Sequence, residues 1–195
     1  GLIEMITIVD YGVGNLGSIK NMFNRIGVDA LISSDFDTIS SASKLLLPGV
    51  GSYDHCMKNL QKSGLIELLT NKVLDENVPI LGICVGFQLM FSQSEEGVLP
   101  GLGWIKGKVL KFKFDKNHQD LKTPHMGWNT VVCKKQSSLL DYNDTHEVRF
   151  YFAHSFYAKC DNEEDVLCST QYGADFTSGI ESGNIMAVQF HPEKS

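Results

Sequence analysis

The sequence predicts an α/β domain: an open, mostly parallel sheet covered by helices on both faces, with further strands toward the C-terminal half. Three observations carry this expectation. Through the first half, short apolar runs alternate with stretches of helical period, the pattern of repeated strand–helix units. The strongest of those runs, residues 78–83, is too uniformly apolar to have a wet side. The second half changes to a succession of short β-rich runs. A length of 195 residues fits one domain over 1–195, large enough to bury a core without staples.

In chain order, residues 5–9 form a short apolar strand. Residues 15–26 carry Leu16, Ile19, Met22, Phe23 and Ile26 on one helical stripe. Residues 29–33 and 44–47 read as the next strands, and 53–76 as helix with a break near Gly64. The buried strand 78–83 follows, and 87–91 opens another helix. Residues 105–114 alternate around Lys106, Lys108, Lys111 and Lys113, as an exposed or edge strand does. Residues 115–122 are polar and predict a loop. Residues 129–133, 150–152, 156–160, 166–172 and 185–190 read as strands.

Composition excludes several classes of function. Lys and Arg number 17 against 23 Asp and Glu, a net charge of −6 that argues against a nucleic-acid binder. No apolar run approaches the ~20 residues of a membrane span. The opening Gly1-Leu2-Ile3-Glu4-Met5 lacks the pattern of a signal peptide, so a cytoplasmic location is expected. Gly1 itself is expected to be a cloning scar or a product of processing. The five cysteines (Cys56, Cys84, Cys133, Cys160 and Cys168) are odd in number and form no CxxC pair. That predicts neither a disulfide framework nor a metal site.

Gly12-Val13-Gly14-Asn15-Leu16-Gly17 spells G-x-G-x-x-G between a strand and a helix, and Asp35 lies where a ribose-binding acid would sit. A dinucleotide-binding module is therefore one reading. Against it, Asp10 at the strand end would repel a pyrophosphate, and little chain remains for a second nucleotide-binding half. A tight Gly-rich turn explains the same residues, and no cofactor is expected.

The segment Gly82-Ile83-Cys84-Val85-Gly86 is more informative. A buried strand runs into Gly-x-Cys-x-Gly and a helix follows, the cysteine form of a nucleophile elbow. The glycines relieve a sharp turn, the helix N-terminus favours a thiolate, and the Val85 N–H is placed to donate to an oxyanion. The other four cysteines lack this frame and read as small buried hydrophobes. A cysteine nucleophile needs an oriented base. His191 follows an apolar strand, with Pro192 fixing the chain and Glu193 close enough to hold the imidazole tautomer. His55, His118, His125, His146 and His154 lack such a setting. Glycines in Pro48-Gly49-Val50-Gly51, directly after a strand, place further N–H donors at the sheet edge.

These segments together resemble the class I, triad-type glutamine amidotransferases. The nucleophile segment is Gly82 to Gln88 and the base-and-acid segment His191-Pro192-Glu193. Within that family the likeness is sharper to members that feed a (β/α)8-barrel cyclase subunit making imidazole glycerol phosphate in histidine biosynthesis. It rests on Asp10 to Leu16, Leu47 to Gly51, Pro124-His125-Met126-Gly127-Trp128-Asn129, and His191 to Ser195. The resemblance implies a flavodoxin-like fold with added antiparallel strands. It implies that Cys84 attacks L-glutamine, His191 moves the protons, Glu193 orients His191, and Val50 or Gly51 joins Val85 in an oxyanion hole. Gln88, Glu96, Ser155 and Phe156 would contact the substrate. Asn15, Trp128 and Lys194 would face the cyclase in a heterodimer. Val85, Phe87 and Phe156 depart from the family's usual Leu, Met and Tyr, and relatives continue past Ser195 into a final helix. A paralogue feeding ammonia to a sugar-amidating enzyme of surface-polysaccharide synthesis is the alternative within the family.

Overall fold

A computed structural model describes residues 5–140 and 148–194 of the chain. His146, Ser195 and the segment 1–4 lie outside the described residues. The first half runs β1 (Ile6–Val9), α1 (Leu16–Arg25), β2 (Ala30–Ser33), α2 (Phe36–Ser40), β3 (Lys44–Leu47), α3 (Tyr53–Ser63), α4 (Ile66–Thr70), a π turn over Asn71–Asp75, β4 (Ile80–Ile83) and α5 (Val85–Gln88). The second half runs β5 (Gly107–Lys111), β6 (His125–Cys133), β7 (Val148–His154), β8 (Phe156–Cys160), β9 (Val166–Tyr172), β10 (Ala174–Ser182), β11 (Ile185–Val188) and a 3-10 turn over Pro192–Lys194.

The sheet order is β2-β1-β3-β4-β11-β10-β9-β6-β7. From β2 to β11 every pairing is parallel. From β11 onward the pairings are antiparallel, with β8 on β10 and, among the described strands, β5 paired only to β8. β5 is therefore the edge strand its lysines predict. Leu45, Leu46 and Leu47 are all buried. Successive strand residues point to opposite faces, so both faces are covered there. Gly64 ends α3 in the left-handed region at φ +72°, which explains the break expected in 53–76.

Three differences from the sequence reading have local causes. β10 was not expected, because Ala174–Ser182 contains no apolar run; only Phe176, Ser178, Gly179 and Ile180 turn inward. α2 is five residues long, too short for periodicity to show. The helix expected over 87–91 instead begins at Val85 and ends at Gln88. No helix among the described residues is long and apolar enough to cross a membrane.

This order fixes where the chemistry collects. β3, β4 and β11 are neighbours, with Leu47 opposite Gly82 and Ile83 opposite Val188. Their carboxyl ends release the Pro48–Gly51 loop, Cys84 and the His191 segment side by side. β1 lies on the other side of β3 and releases the Gly-rich turn at the same edge.

Candidate active site

Cys84 sits at φ +56°, ψ −115°, a conformation L-residues avoid and hold only where the surroundings impose it. It is 4% exposed. The flanking glycines answer to close approach more than to the turn. A Cβ on Gly86 would lie 2.1 Å from the Leu47 carbonyl oxygen, and one on Gly82 would lie 2.8 Å from the Met90 methyl. Gly49 is under the same constraint, because its Cβ would be 2.5 Å from the Gly86 nitrogen. The elbow and the loop after β3 therefore touch backbone to backbone. Helix α5 is a single turn, so the macrodipole expected to favour a thiolate is weaker than the sequence suggests.

The His191 Nδ1 lies 2.7 Å from Glu193 Oε1, with both side chains buried. The remaining ring nitrogen faces Cys84, to which His191 is hydrogen-bonded. The backbone is held by His191 N–H donating to Tyr151 O at 2.9 Å. Burial alone lowers the imidazole pKa. The hydrogen bonds to Cys84 and Glu193, with their negative charge, outweigh it and raise His191 to about 9. The arrangement is a buried imidazole ring between the Cys84 sulfur and a carboxylate, placed to move a proton at Cys84.

A cavity of about 260 Å³ opens beside this line, at the small end of ligand sites. Val50, Gly51, Val85, Gln88, Glu96, Ser155 and Phe156, the residues expected to handle substrate, all line it with Cys84, His191 and Lys194. Glu96 accepts from the Tyr53 N–H at 2.6 Å, and burial raises its carboxyl pKa against that bond. The Gln88 amide nitrogen is already spent, on Phe156 O at 3.1 Å and Gln189 Oε1 at 2.9 Å. The Val85 N–H is spent too: it donates to Gly49 O at 3.1 Å. Trp128 is 51% exposed and meets the Tyr151 ring edge-on, while the Lys194 ammonium lies 5.1 Å from the centre of the same Tyr151 ring. Asn15 is exposed where α1 begins, and α1 packs on the turn that carries Glu193.

The Gly-rich turn has a different task from the dinucleotide reading. Asp10 accepts from the Gly12 N–H at 3.1 Å, and a Cβ on Gly14 would press on the Pro48 ring at 3.0 Å. Asp35 caps α2, accepting from the Thr38 N–H at 3.0 Å. Sequence reasoning missed Gln189, whose amide nitrogen lies 3.9 Å from Cys84 Sγ. A lone amide in the apolar run before His191 was the available signal.

It also passed over His125 and His154. His154 Nδ1 is 2.8 Å from Phe156 O, which only accepts, so His154 donates there and leaves Nε2 bare. His125 Nδ1 donates to that nitrogen at 2.9 Å, and Asn129 Nδ2 donates to His125 Nε2 at 3.1 Å. Burial lowers His125 to about 4 and His154 to about 3. Both bind protons more readily unfolded, near 6.5, than folded. Their contribution to stability is thus present above about pH 6.5 and lost as pH falls toward those values. The thermal midpoint is expected to drop by a few degrees between pH 7 and pH 5, and His154→Gln to flatten that slope. A midpoint flat over this range in the parent protein would contradict it.

Residues 7–195 match the family model described as Glutamine amidotransferase class-I. Among curated relatives, the chain is 51% identical to imidazole glycerol phosphate synthase subunit HisH 2 of Methanococcus maripaludis, over 98% of this chain and 93% of that protein. It is 44% identical to the HisH subunit of Bdellovibrio bacteriovorus over the same shares of each. Among solved structures, one titled as a glutamine amidotransferase aligns with TM-score 0.73 at 16% identity, over 97% of this chain and 91% of that one. PurLQS from Thermotoga maritima aligns with TM-score 0.72 at 19% identity, over 98% and 89%. The structural likeness repeats the fold; the sequence likeness reaches through the elbow, the loop after β3 and the His191 segment alike, and by it the chain belongs to the class-I glutamine amidotransferases.

Proposed function

We propose that this chain, a single domain over 1–195, is the glutaminase subunit of an imidazole glycerol phosphate synthase in histidine biosynthesis. In this reading Cys84 attacks the side-chain amide of L-glutamine, forming a C–S bond and a tetrahedral oxyanion. His191 protonates the nitrogen as the C–N bond breaks, releasing ammonia and leaving a glutamyl thioester. Water then attacks, gives its proton to His191, and breaks the C–S bond to yield glutamate. Glu193 holds the imidazole throughout. Glu96 supplies a carboxylate in the cavity wall for the substrate ammonium. The observation that carries the reading is the Glu193–His191–Cys84 line opening on one small cavity, in a chain whose high-identity relatives bear the synthase-subunit name.

The oxyanion hole is closed as it stands. Gly49 O occupies the Val85 N–H, and the Val50 N–H belongs to the same peptide as that carbonyl. One turn of the Gly49–Val50 peptide would withdraw the carbonyl, free Val85 and present Val50, giving two donors at once. Docking of a (β/α)8 cyclase partner against Trp128, Lys194 and Asn15 is the event proposed to favour that turn, within a cytoplasmic heterodimer. Ammonia would then pass to the partner.

The test is glutamate release by the purified chain, with and without an imidazole glycerol phosphate cyclase and its nucleotide substrate. Strong stimulation that depends on Cys84 is expected. Cys84-dependent release with no response to the cyclase would overturn the pathway and favour the polysaccharide paralogue. Full-rate release by the isolated chain would overturn the closed-hole account.

A further inference from the structure

We propose that Tyr11 and Cys56 are positioning residues that pin the carbonyls on either side of the Gly49–Val50 peptide, so that this one peptide turns while the rest of the loop stays fixed. The proposal rests on the glutaminase reading above and deepens it.

Three consecutive carbonyls in the loop after β3 each have their own donor. Tyr11 Oη donates to Pro48 O, the Val85 N–H donates to Gly49 O, and the Cys56 thiol donates to Val50 O at 3.2 Å. The middle bond comes from the catalytic backbone itself. The outer two come from buried side chains on separate elements, the turn after β1 and the first turn of α3. Each peptide unit is a rigid plane. Turning the middle plane about the line between the Gly49 and Val50 Cα atoms swings its own C=O and N–H and leaves the carbonyls of Pro48 and Val50 in place. The outer bonds therefore survive the turn, while the middle one must break.

Two further features suit a fixed frame with one moving plane. Gly49 has no Cβ to foul Gly86, and Gly14 lets the turn after β1 lie against the Pro48 ring. Burial raises the pKa of both Tyr11 and Cys56, the latter to about 11, so each keeps the proton it donates. The Gly-rich turn thereby acquires a function: it brings Tyr11 to the loop that must be held.

The test uses the complex with the cyclase and its nucleotide. Tyr11→Phe keeps the ring and removes the donor. Its kcat for glutamate release is expected to fall about tenfold or more, since misplacement by an ångström costs up to about a hundredfold, with KM for glutamine within about twofold. Cys56→Ala should act in the same direction more weakly, and Cys56→Ser, which retains an O–H, should restore the rate. An aldehyde analogue of glutamine, which forms a tetrahedral adduct, should lose affinity in step with kcat. Alkylation of Cys84 by iodoacetamide, followed by mass spectrometry, should keep its rate, because it needs no oxyanion hole. Unchanged kcat in Tyr11→Phe beside an active parent complex would overturn the pinning role. So would a loss shared equally by kcat, glutamine affinity and Cys84 alkylation, the mark of general disruption. An inactive parent complex would instead bring down the glutaminase reading, and the pinning role with it.

Discussion

Cys84→Ala is expected to lower glutamate release by about 10⁴-fold or more, the scale on which removal of a covalent nucleophile acts. No neighbour can stand in. Cys56 is nearby but fully buried, engaged with Val50 O, and without an imidazole–carboxylate pair behind it. The same position carries a stability prediction of opposite sign. Cys84 occupies φ +56°, ψ −115°, which alanine tolerates no better than cysteine, whereas glycine reaches it freely. Cys84→Gly should therefore be as inactive as Cys84→Ala yet more stable, by about 1 kcal/mol given the usual cost of such conformations. Urea unfolding of the two inactive variants measures the difference. Equal stabilities would mean that the elbow stores no strain.

The second large effect belongs to Gly86. Replacement by alanine would drive a methyl to 2.1 Å from Leu47 O, at the end of a central strand with Pro48 directly behind it. Neither atom sits on a flexible side chain, so α5 and β3 must part. Overpacking costs typically 1–3 kcal/mol and more where backbone must move, so a loss of about 3 kcal/mol or more is expected, together with collapse of glutaminase activity. The informative comparison is Gly17→Ala, where nothing lies within 4 Å of the added methyl. That variant should unfold close to the parent. A Gly86→Ala protein with parental stability would sink the backbone-contact account.

The parts of the fold legible in the sequence were those whose pattern is local. β3 and β4 are continuous apolar runs, α1 shows its stripe, and Gly64 announces the end of α3. The proposed triad was legible for the same reason, since Gly-x-Cys-x-Gly and His-Pro-Glu each lie within a few residues. What escaped depends on contacts between distant segments. β10 reads as polar because its inward face is made of Phe176, Ser178 and Ile180, with Ser178 accepting from the Thr170 hydroxyl and donating to Cys168 Sγ across the sheet. Cys56 looked like any small buried residue until Val50 was placed beside it. His154 shows no acid in its neighbourhood because its partners are another histidine and a carbonyl. Gly86 of the elbow reads from sequence as a matter of turn geometry, yet what requires it is how closely β3 and its loop approach.

The hydrogen bonds running from Asn129 through His125 and His154 to Phe156 have a single direction, and no link can reverse alone. Both rings are consequently fixed as Nδ1–H tautomers. In nitrogen NMR their four ring nitrogens should appear as two protonated and two bare signals, unmoved from pH 8 to pH 6. That constancy makes them an internal reference planted between the Trp128 strand and the cavity wall. A ligand that disturbs Phe156 would be read first at His154, and a partner that disturbs Asn129 first at His125, so the two events would carry different spectral signatures in the same sample.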